Sequence, residues 1–285
     1  MAIHVINEAR RCLQCKKPLC RLKGCPAQTN IPEMIRLFLD GQINEAGEML
    51  FINNPMSIVC SLVCDHEKQC EGNCIQGRKG APVQISSIEH YISDIYLDKV
   101  IMEHEPPKGQ NVAVIGAGPA GITVSVKLAQ LGYDVTIFER KSKLGGMLRY
   151  GIPAYRFPRE RLQEDLDAIL STGVEVHRNT RIGNEEGDIP FEKLREEFDA
   201  VYIAIGAHTD KKIGIEGENS HGVISAVEML RNIGEEKMPD FKDKTVVVIG
   251  GGNVAMDAAR TAKRLGADVT VVYRRTENEL PARRE

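Results

Sequence analysis

The sequence predicts a cysteine-rich, α-helical first domain followed by two α/β units, and two observations carry that reading. All eight cysteines of the 285 residues fall between Cys12 and Cys74. After Asn111 the chain turns to short apolar runs alternating with amphipathic stretches, the texture of strands and helices taken in turn. The linker Glu105-Pro-Pro-Lys-Gly-Gln110 separates the two textures, which puts the first domain at residues 1–108. The α/β part divides into 109–212 and 213–285.

Two helices are legible in the first domain. One spans 31–50, with Asn30 as a cap, Pro32 in the first turn and Met34, Ile35, Leu37, Phe38 and Leu39 as apolar face. The other spans 86–100, with Ile88, Tyr91, Ile92, Ile95 and Tyr96 at helical spacing. The cysteines precede these helices, in stretches expected to be irregular. In the second part, strand Val112–Ile115, a glycine turn, a helix over 119–132 and strand Asp134–Phe138 make one βαβ unit. Strand Thr245–Ile249, a second glycine turn, a helix to about 266 and strand Val269–Tyr273 make another. Between them come Val174–Val176, a helix near 190–198 and a strand over 200–205.

A net charge of −3 gives no global reason to bind nucleic acid or an anionic membrane. No apolar run approaches the roughly 20 residues of a membrane helix, and the start has no secretory h-region. The expectation is a cytoplasmic protein with neither nucleic acid nor membrane as partner. Disulfides are disfavoured in that compartment, so the cysteines are expected to bind metal.

Their spacings are Cys12-x2-Cys15-x4-Cys20-x4-Cys25 and Cys60-x3-Cys64-x5-Cys70-x3-Cys74. Two zinc tetrahedra and two iron–sulfur clusters both satisfy them. The neighbourhood favours iron–sulfur, because two dinucleotide-type turns imply electron traffic that zinc cannot carry. Six cations, Arg10, Arg11, Lys16, Lys17, Arg21 and Lys23, face a single acid, Glu8, over residues 1–26. They could stabilise an anionic cluster, dock an acidic carrier, or simply be a solvated face.

The turn Gly116-Ala-Gly118-Pro119-Ala120-Gly121 follows a strand and opens a helix. Its glycines serve a tight turn, backbone approach to pyrophosphate and helix packing. Glu139, 23 residues after Gly116, is positioned to accept hydrogen bonds from a ribose diol. The second turn, Gly250-Gly251-Gly252-Asn253-Val254-Ala255, has alanine at the third glycine position, and its second strand ends in Arg274-Arg275 instead of an acid. Guanidinium groups there would pair with a 2′-phosphate, which predicts NADP(H); a capped surface is the plainer reading. Asp257 is a weaker ribose candidate. Gly145-Gly146-Met147 is either a plain turn or a backbone approach to a phosphate or flavin ring. His66, His90, His177 and His208 form no spaced ligand set, and hydride transfer needs geometry more than an acid or base, so no catalytic side chain is named.

Together these motifs resemble one family: the glutamate synthase small subunit, the N-terminal half of dihydropyrimidine dehydrogenase and the large subunit of NADH-dependent ferredoxin:NADP oxidoreductase. The resemblance rests on the cysteine spacings, Gly24-Cys-Pro26, Ile31-Pro-Glu33, Cys70-Glu-Gly-x-Cys74, the first glycine turn, Tyr150-Gly-Ile-Pro153, Ala204-Ile-Gly-Ala207 and Tyr273-Arg-Arg275. It implies a helical domain with two 4Fe-4S clusters, then Rossmann-type FAD and NAD(P) domains that are both incomplete within this chain.

By resemblance, Cys12, Cys15, Cys20 and Cys74 hold one cluster, and Cys25, Cys64, Cys70 and Glu89 the other, with Cys60 spare. The rival is a local pairing of the first four and the last four cysteines. The resemblance further implies FAD at the first turn with Gly146, Met147 and Arg156 near it, and NADPH at the second. The partner would be a redox protein, either a large catalytic subunit or a ferredoxin-type carrier. A non-catalytic iron–sulfur relay or interaction module is the alternative reading.

Overall fold

The computed structural model describes residues 2–100, 103–171 and 173–282. It has two compact units, Met1–Leu144 with Glu160–Ala204, and Gly145–Arg159 with Ile205–Glu285.

The first unit opens with helices α1 (Ala2–Arg10), α2 (Ile31–Leu39), α3 (Ile43–Asn53), α4 (Ser57–Val63) and α5 (Ile85–Leu97). The apolar faces of α1, α2, α3 and α5 close one core containing Val5, Met34, Ile35, Leu50, Ile88 and Ile92, and Cys12, Cys20, Cys25 and Cys74 pack against its edge. The single helix expected over 31–50 is in fact two. Gly41 takes φ +80°, its N–H bonds the Phe38 carbonyl at 3.2 Å, and the Gln42 N–H bonds that of Leu37 at 2.9 Å. That is a Schellman stop, which a residue with a Cβ makes only with strain. Asn30 is the N-cap residue by position, but its side chain makes no capping bond. Asn54 separates α3 from α4 by accepting the Met56 N–H on its own side chain at 3.1 Å.

The same unit continues with β1 (Asn111–Ile115), α6 (Pro119–Gln130) and β2 (Asp134–Glu139). The second unit contributes the short helix α7 (Met147–Tyr150). Then come α8 (Arg159–Leu170), β3 (Glu175–Arg178), α9 (Phe191–Glu197) and β4 (Ala200–Ile203). The four strands form a parallel sheet in the order β3-β2-β1-β4, with Asn111 opposite Asp134 and Val112 opposite Ala200. The central strand β1 buries Val112, Ala113 and Val114, as a strand covered on both faces must.

The second unit also carries α10 (Ala226–Gly234), β5 (Thr245–Ile249), α11 (Asn253–Arg264) and β6 (Asp268–Val272). Ser225 caps α10 by accepting the Glu228 N–H at 3.2 Å. β5 and β6 pair in parallel from Thr245 opposite Asp268 to Ile249 opposite Val272. Helices α10 and α11 meet through Met229, Leu230 and Ala258. Val247 and Ile249 remain 57% and 60% exposed on this two-stranded sheet. Among the described residues no single helix is long and apolar enough to cross a membrane.

Candidate iron–sulfur and nucleotide sites

All eight cysteines are free thiols. Cys12, Cys15, Cys20 and Cys74 line one cavity with about 400 Å³ of atom-free space, its open mouth included, walled by Ile31, Ile35, Val83 and Ile85. Residues more than 50 positions apart in the chain therefore share a single apolar-walled hollow. Two of these thiols, Cys12 and Cys20, are held above the usual thiol range. Burial pushes Cys20 up to about 11, with the charges of Cys74, Cys12 and Cys15 adding to it. Cys12 rises for the same reasons, burial first and then Cys15 and Cys74. A cationic iron core would relieve that repulsion and hold the four as thiolates.

The chain reaches from this hollow to the second group through a π-helical turn, Cys20–Gly24. Its closing bond runs from the Cys25 N–H to the Cys20 carbonyl at 2.8 Å. The extra residue of a π turn separates Cys20 from Cys25, and such turns recur at functional sites. Gly24 is pressed so closely on the Gln69–Cys70 backbone that a Cβ would lie 2.7 Å from the Gln69 oxygen. This close approach brings Cys25 against the Cys70 segment.

The second group is bound together electrostatically. Cys70 is raised by burial, then by Glu89, Glu71 and Cys25. Cys64 is raised by its hydrogen bond with Cys60, by burial, and by the charges of Cys60, Glu89 and Cys70. Glu89 is buried in α5, where loss of solvent lifts its carboxyl to about 7 and Ser57 Oγ donates to it at 2.5 Å. Cys60 is expected in an irregular stretch. It lies instead inside α4, one turn before Cys64 and hydrogen-bonded with it. Asn54 Nδ2 also donates to Cys60 Sγ at 3.3 Å, and these two bonds bring Cys60 down to about 7. The i, i+4 spacing of Cys60 and Cys64 in Ser57-Ile-Val-Cys-Ser-Leu-Val-Cys64 is the signal for this neighbour.

Among the described residues no three His, Cys, Asp or Glu side chains converge as ligands of a single metal ion. His66, passed over in the sequence, holds the loop between Cys64 and Cys70. Its Nε2 is 3.0 Å from the Cys60 carbonyl, and its own carbonyl accepts the Glu71 and Gly72 N–H groups at 3.0 and 3.1 Å.

At the first glycine turn, a Cβ on Gly121 would lie 1.9 Å from the Gly116 oxygen, so α6 can pack on the turn only without a side chain there. Pro119 and Ala120 form the first turn of α6, and Gly118 is its N-cap, which leaves the helix N-terminus free to meet an anion. Glu139 is turned toward this loop. Its Oε2 accepts the Ala117 N–H at 2.8 Å and its Oε1 the Lys141 N–H at 2.8 Å. Each oxygen keeps a further lone pair for a ribose hydroxyl. The chain thus fits a dinucleotide here.

In the second unit, Gly252 is the N-cap of α11, with Asn253 and Val254 in its first turn. Open space surrounds Gly252, whereas a Cβ on Gly251 would meet the Tyr273 ring and Leu280. Arg274 and Arg275 are exposed just past β6, and Gly250 takes φ +133° at the end of β5. This too fits a phosphate at a helix N-terminus beside two guanidinium groups. Gly145, Gly146 and Met147 fold into this unit, with Gly146 as the N-cap of α7. Arg156 is engaged there, its Nη1 at 2.8 Å from Asp257 Oδ2. Asp257 is buried in α11, its carboxyl raised by desolvation against the pull of Arg156. It makes an internal ion pair that the sequence alone did not reveal.

Two family models cover nearly all of this. The one described as dihydropyrimidine dehydrogenase domain II, 4Fe-4S cluster, matches residues 2–101. The one described as pyridine nucleotide-disulphide oxidoreductase matches residues 110–282. The NAD-dependent dihydropyrimidine dehydrogenase subunit PreT of Salmonella typhimurium is 36% identical over 97% of this chain and 67% of its own length. The chain belongs to the glutamate synthase small subunit-like family of NAD(P)H-dependent iron–sulfur flavoproteins.

Other members are similar over much of this chain and less of their own. The NADPH glutamate synthase small chain of Escherichia coli is 35% identical over 97% of this chain and 61% of its length. The beta subunit of the NADP(+)-dependent formate dehydrogenase of Moorella thermoacetica is 37% identical over 92% and 40%. The chain thus spans roughly half the length of these two relatives. Mycobacterium tuberculosis FprA in complex with NADPH has the same fold over 62% of this chain and 46% of its own, with a TM-score of 0.52 at 24% identity. An iron–sulfur helical domain followed by flavin- and pyridine nucleotide-type α/β structure is the architecture of this oxidoreductase family.

Proposed function

We propose that the chain is an electron-transfer subunit that moves electrons between NADP(H), FAD and two 4Fe-4S clusters on behalf of a partner protein in the cytoplasm. The observation that carries this is the shared cavity of Cys12, Cys15, Cys20 and Cys74, distinct from the group of Cys25, Cys64, Cys70 and Glu89 coupled by charge. A bound flavin would take a hydride as an electron pair and release single electrons, which iron–sulfur clusters accept.

The residues' parts follow from their chemistry. The N-terminus of α6 and Glu139 hold the dinucleotide end of FAD; the N-terminus of α11 and Arg274 with Arg275 hold NADP(H). The apolar walls of the cysteine cavity exclude water from the thiolates, which lowers the local dielectric and favours a cluster of low net charge. Glu89 is the fourth donor of the second cluster, and Cys60 its nearest rival. No side chain is assigned a proton-transfer role.

The test is reconstitution of the purified chain with iron, sulfide and FAD, followed by NADPH-dependent reduction of a small dye. Visible absorption from both cofactor types with turnover supports the reading, and cofactor-loaded protein without turnover contradicts it. A relay module without hydride transfer is the second reading. It predicts iron and sulfide without stoichiometric flavin.

A further inference from the structure

We propose that Ser57 is the positioning residue of the second cluster: its hydroxyl occupies Oε1 of Glu89, so that Oε2 is the atom offered to iron. The inference rests on the function proposed above and adds how a carboxylate is held in a place where a fourth thiolate would otherwise serve. Three side chains make the device. Ser57 opens α4, and Glu89 and Ser93 stand four residues apart on α5, which puts them on one face of that helix. All three are buried. Ser57 Oγ is 2.5 Å from Glu89 Oε1, and Ser93 Oγ is 3.4 Å from Ser57 Oγ.

Chemistry fixes the direction of both bonds. An ionised carboxylate has no proton to give, so Ser57 must donate its single hydrogen to Glu89. Its oxygen can then only accept, and Ser93 fills that place as donor. The Ser57 hydroxyl is thereby held toward Oε1. Among the described residues no hydrogen bond reaches Oε2. The Glu89 charge acts on Cys64 and Cys70, so the carboxylate stands beside two thiols of the second group.

The plainer reading is a trio of core polar groups that satisfy one another. It leaves a buried carboxylate with one partner where it has about four acceptor sites, a costly arrangement unless a further partner arrives. Iron at Oε2 would be that partner. The bond to Ser57 has an electronic effect as well as a steric one. A hydroxyl on Oε1 draws electron density from the carboxylate, which weakens it as a donor and favours the reduced cluster. Ser57 thus sets both the orientation of Glu89 and the sign of its influence on potential.

The test is EPR and redox titration of the full chain reconstituted with iron and sulfide. Ser57→Ala should alter the same signal that Glu89→Ala alters and lower that cluster's reduction equilibrium constant about 5-fold, toward more negative potential. A chelator should strip that cluster at least ~10-fold faster. The signal and stripping rate of the cluster on Cys12, Cys15, Cys20 and Cys74 should not change. Ser57→Thr keeps the hydroxyl, and the cavity that Ser57 lines with Phe51, Ser93 and Tyr96 has space for its methyl group, so it should restore all three readouts. Ser93→Ala removes only the bond that orients Ser57 and should act in the same direction, less strongly. With two clusters in the unaltered chain, an unchanged second signal and potential in both alanine variants would overturn the inference and leave the electron-transfer reading standing. So would Ser57→Thr as impaired as Ser57→Ala, or a Glu89→Ala spectrum identical to that of the unaltered chain. If the unaltered chain takes up no iron and sulfide, the electron-transfer reading falls and this inference with it.

Discussion

The two βαβ units begin with the same sequence of events, a strand, a glycine turn and a helix, and end differently. In the first, the strand is buried at the centre of a four-stranded sheet and the terminal acid, Glu139, folds inward onto the turn's own backbone. In the second, two strands stand with apolar side chains exposed, and the terminal residues are two arginines in solvent. On the function proposed above, the turn receives a phosphate and the residue after the second strand selects the nucleotide. Steric tolerance differs in the same way, with Gly121 locked against Gly116 and Gly252 in open space.

The largest effect is expected from breaking that steric contrast. Gly121→Ala forces a Cβ onto the Gly116 oxygen and should cost about 3 kcal/mol in denaturant melts, with loss of flavin. Gly252→Ala should change stability by no more than about 0.5 kcal/mol. Equal losses in both would erase the distinction. Next comes nucleotide choice. Removing Arg274 and Arg275 together should weaken NADPH by about 1.5–3 kcal/mol, near 10- to 100-fold, in a binding titration and leave NADH almost unchanged. Equal weakening would show that the arginines do not read the 2′-phosphate.

A smaller contrast separates the two buried carboxylates Asp165 and Asp257, each paired with an arginine. Burial raises Asp165 to about 6 from an unfolded value near 3.8. Between those values the folded chain holds a proton that the unfolded chain has lost, so stability falls as pH rises from about 4 to 6 and is level above. Urea melts across that range should show the slope, and Asp165→Asn should flatten it; an unchanged slope would assign it elsewhere. Asp257→Asn should do the same more weakly, the shift there being smaller and in the same direction.

Periodicity and glycine chemistry made the α/β half legible, because strand, turn and helix are local signals. The helical half was legible only in part. The stop at Gly41 was readable as a glycine, yet the apolar pattern ran through it and suggested one helix. The π turn at Cys20 left no local signature, and the close approach of Gly24 to Gln69 depends on residues 45 positions apart. Cys60 is spare only by the resemblance; its hydrogen bond with Cys64 one turn away depends on α4, a helix that the apolar pattern did not announce. The ion pair of Arg156 with Asp257 joins residues 101 positions apart, beyond anything spacing reveals.

The interleaving of the two cysteine groups is the central claim, and paired cysteine variants test it most directly. Cys12→Ser and Cys74→Ser should each remove the same cluster from the EPR spectrum of the reduced, reconstituted protein, and Cys25→Ser and Cys64→Ser the other. If Cys12→Ser and Cys25→Ser instead remove one signal while Cys64→Ser and Cys74→Ser remove the second, the cysteines are paired locally and the account is wrong.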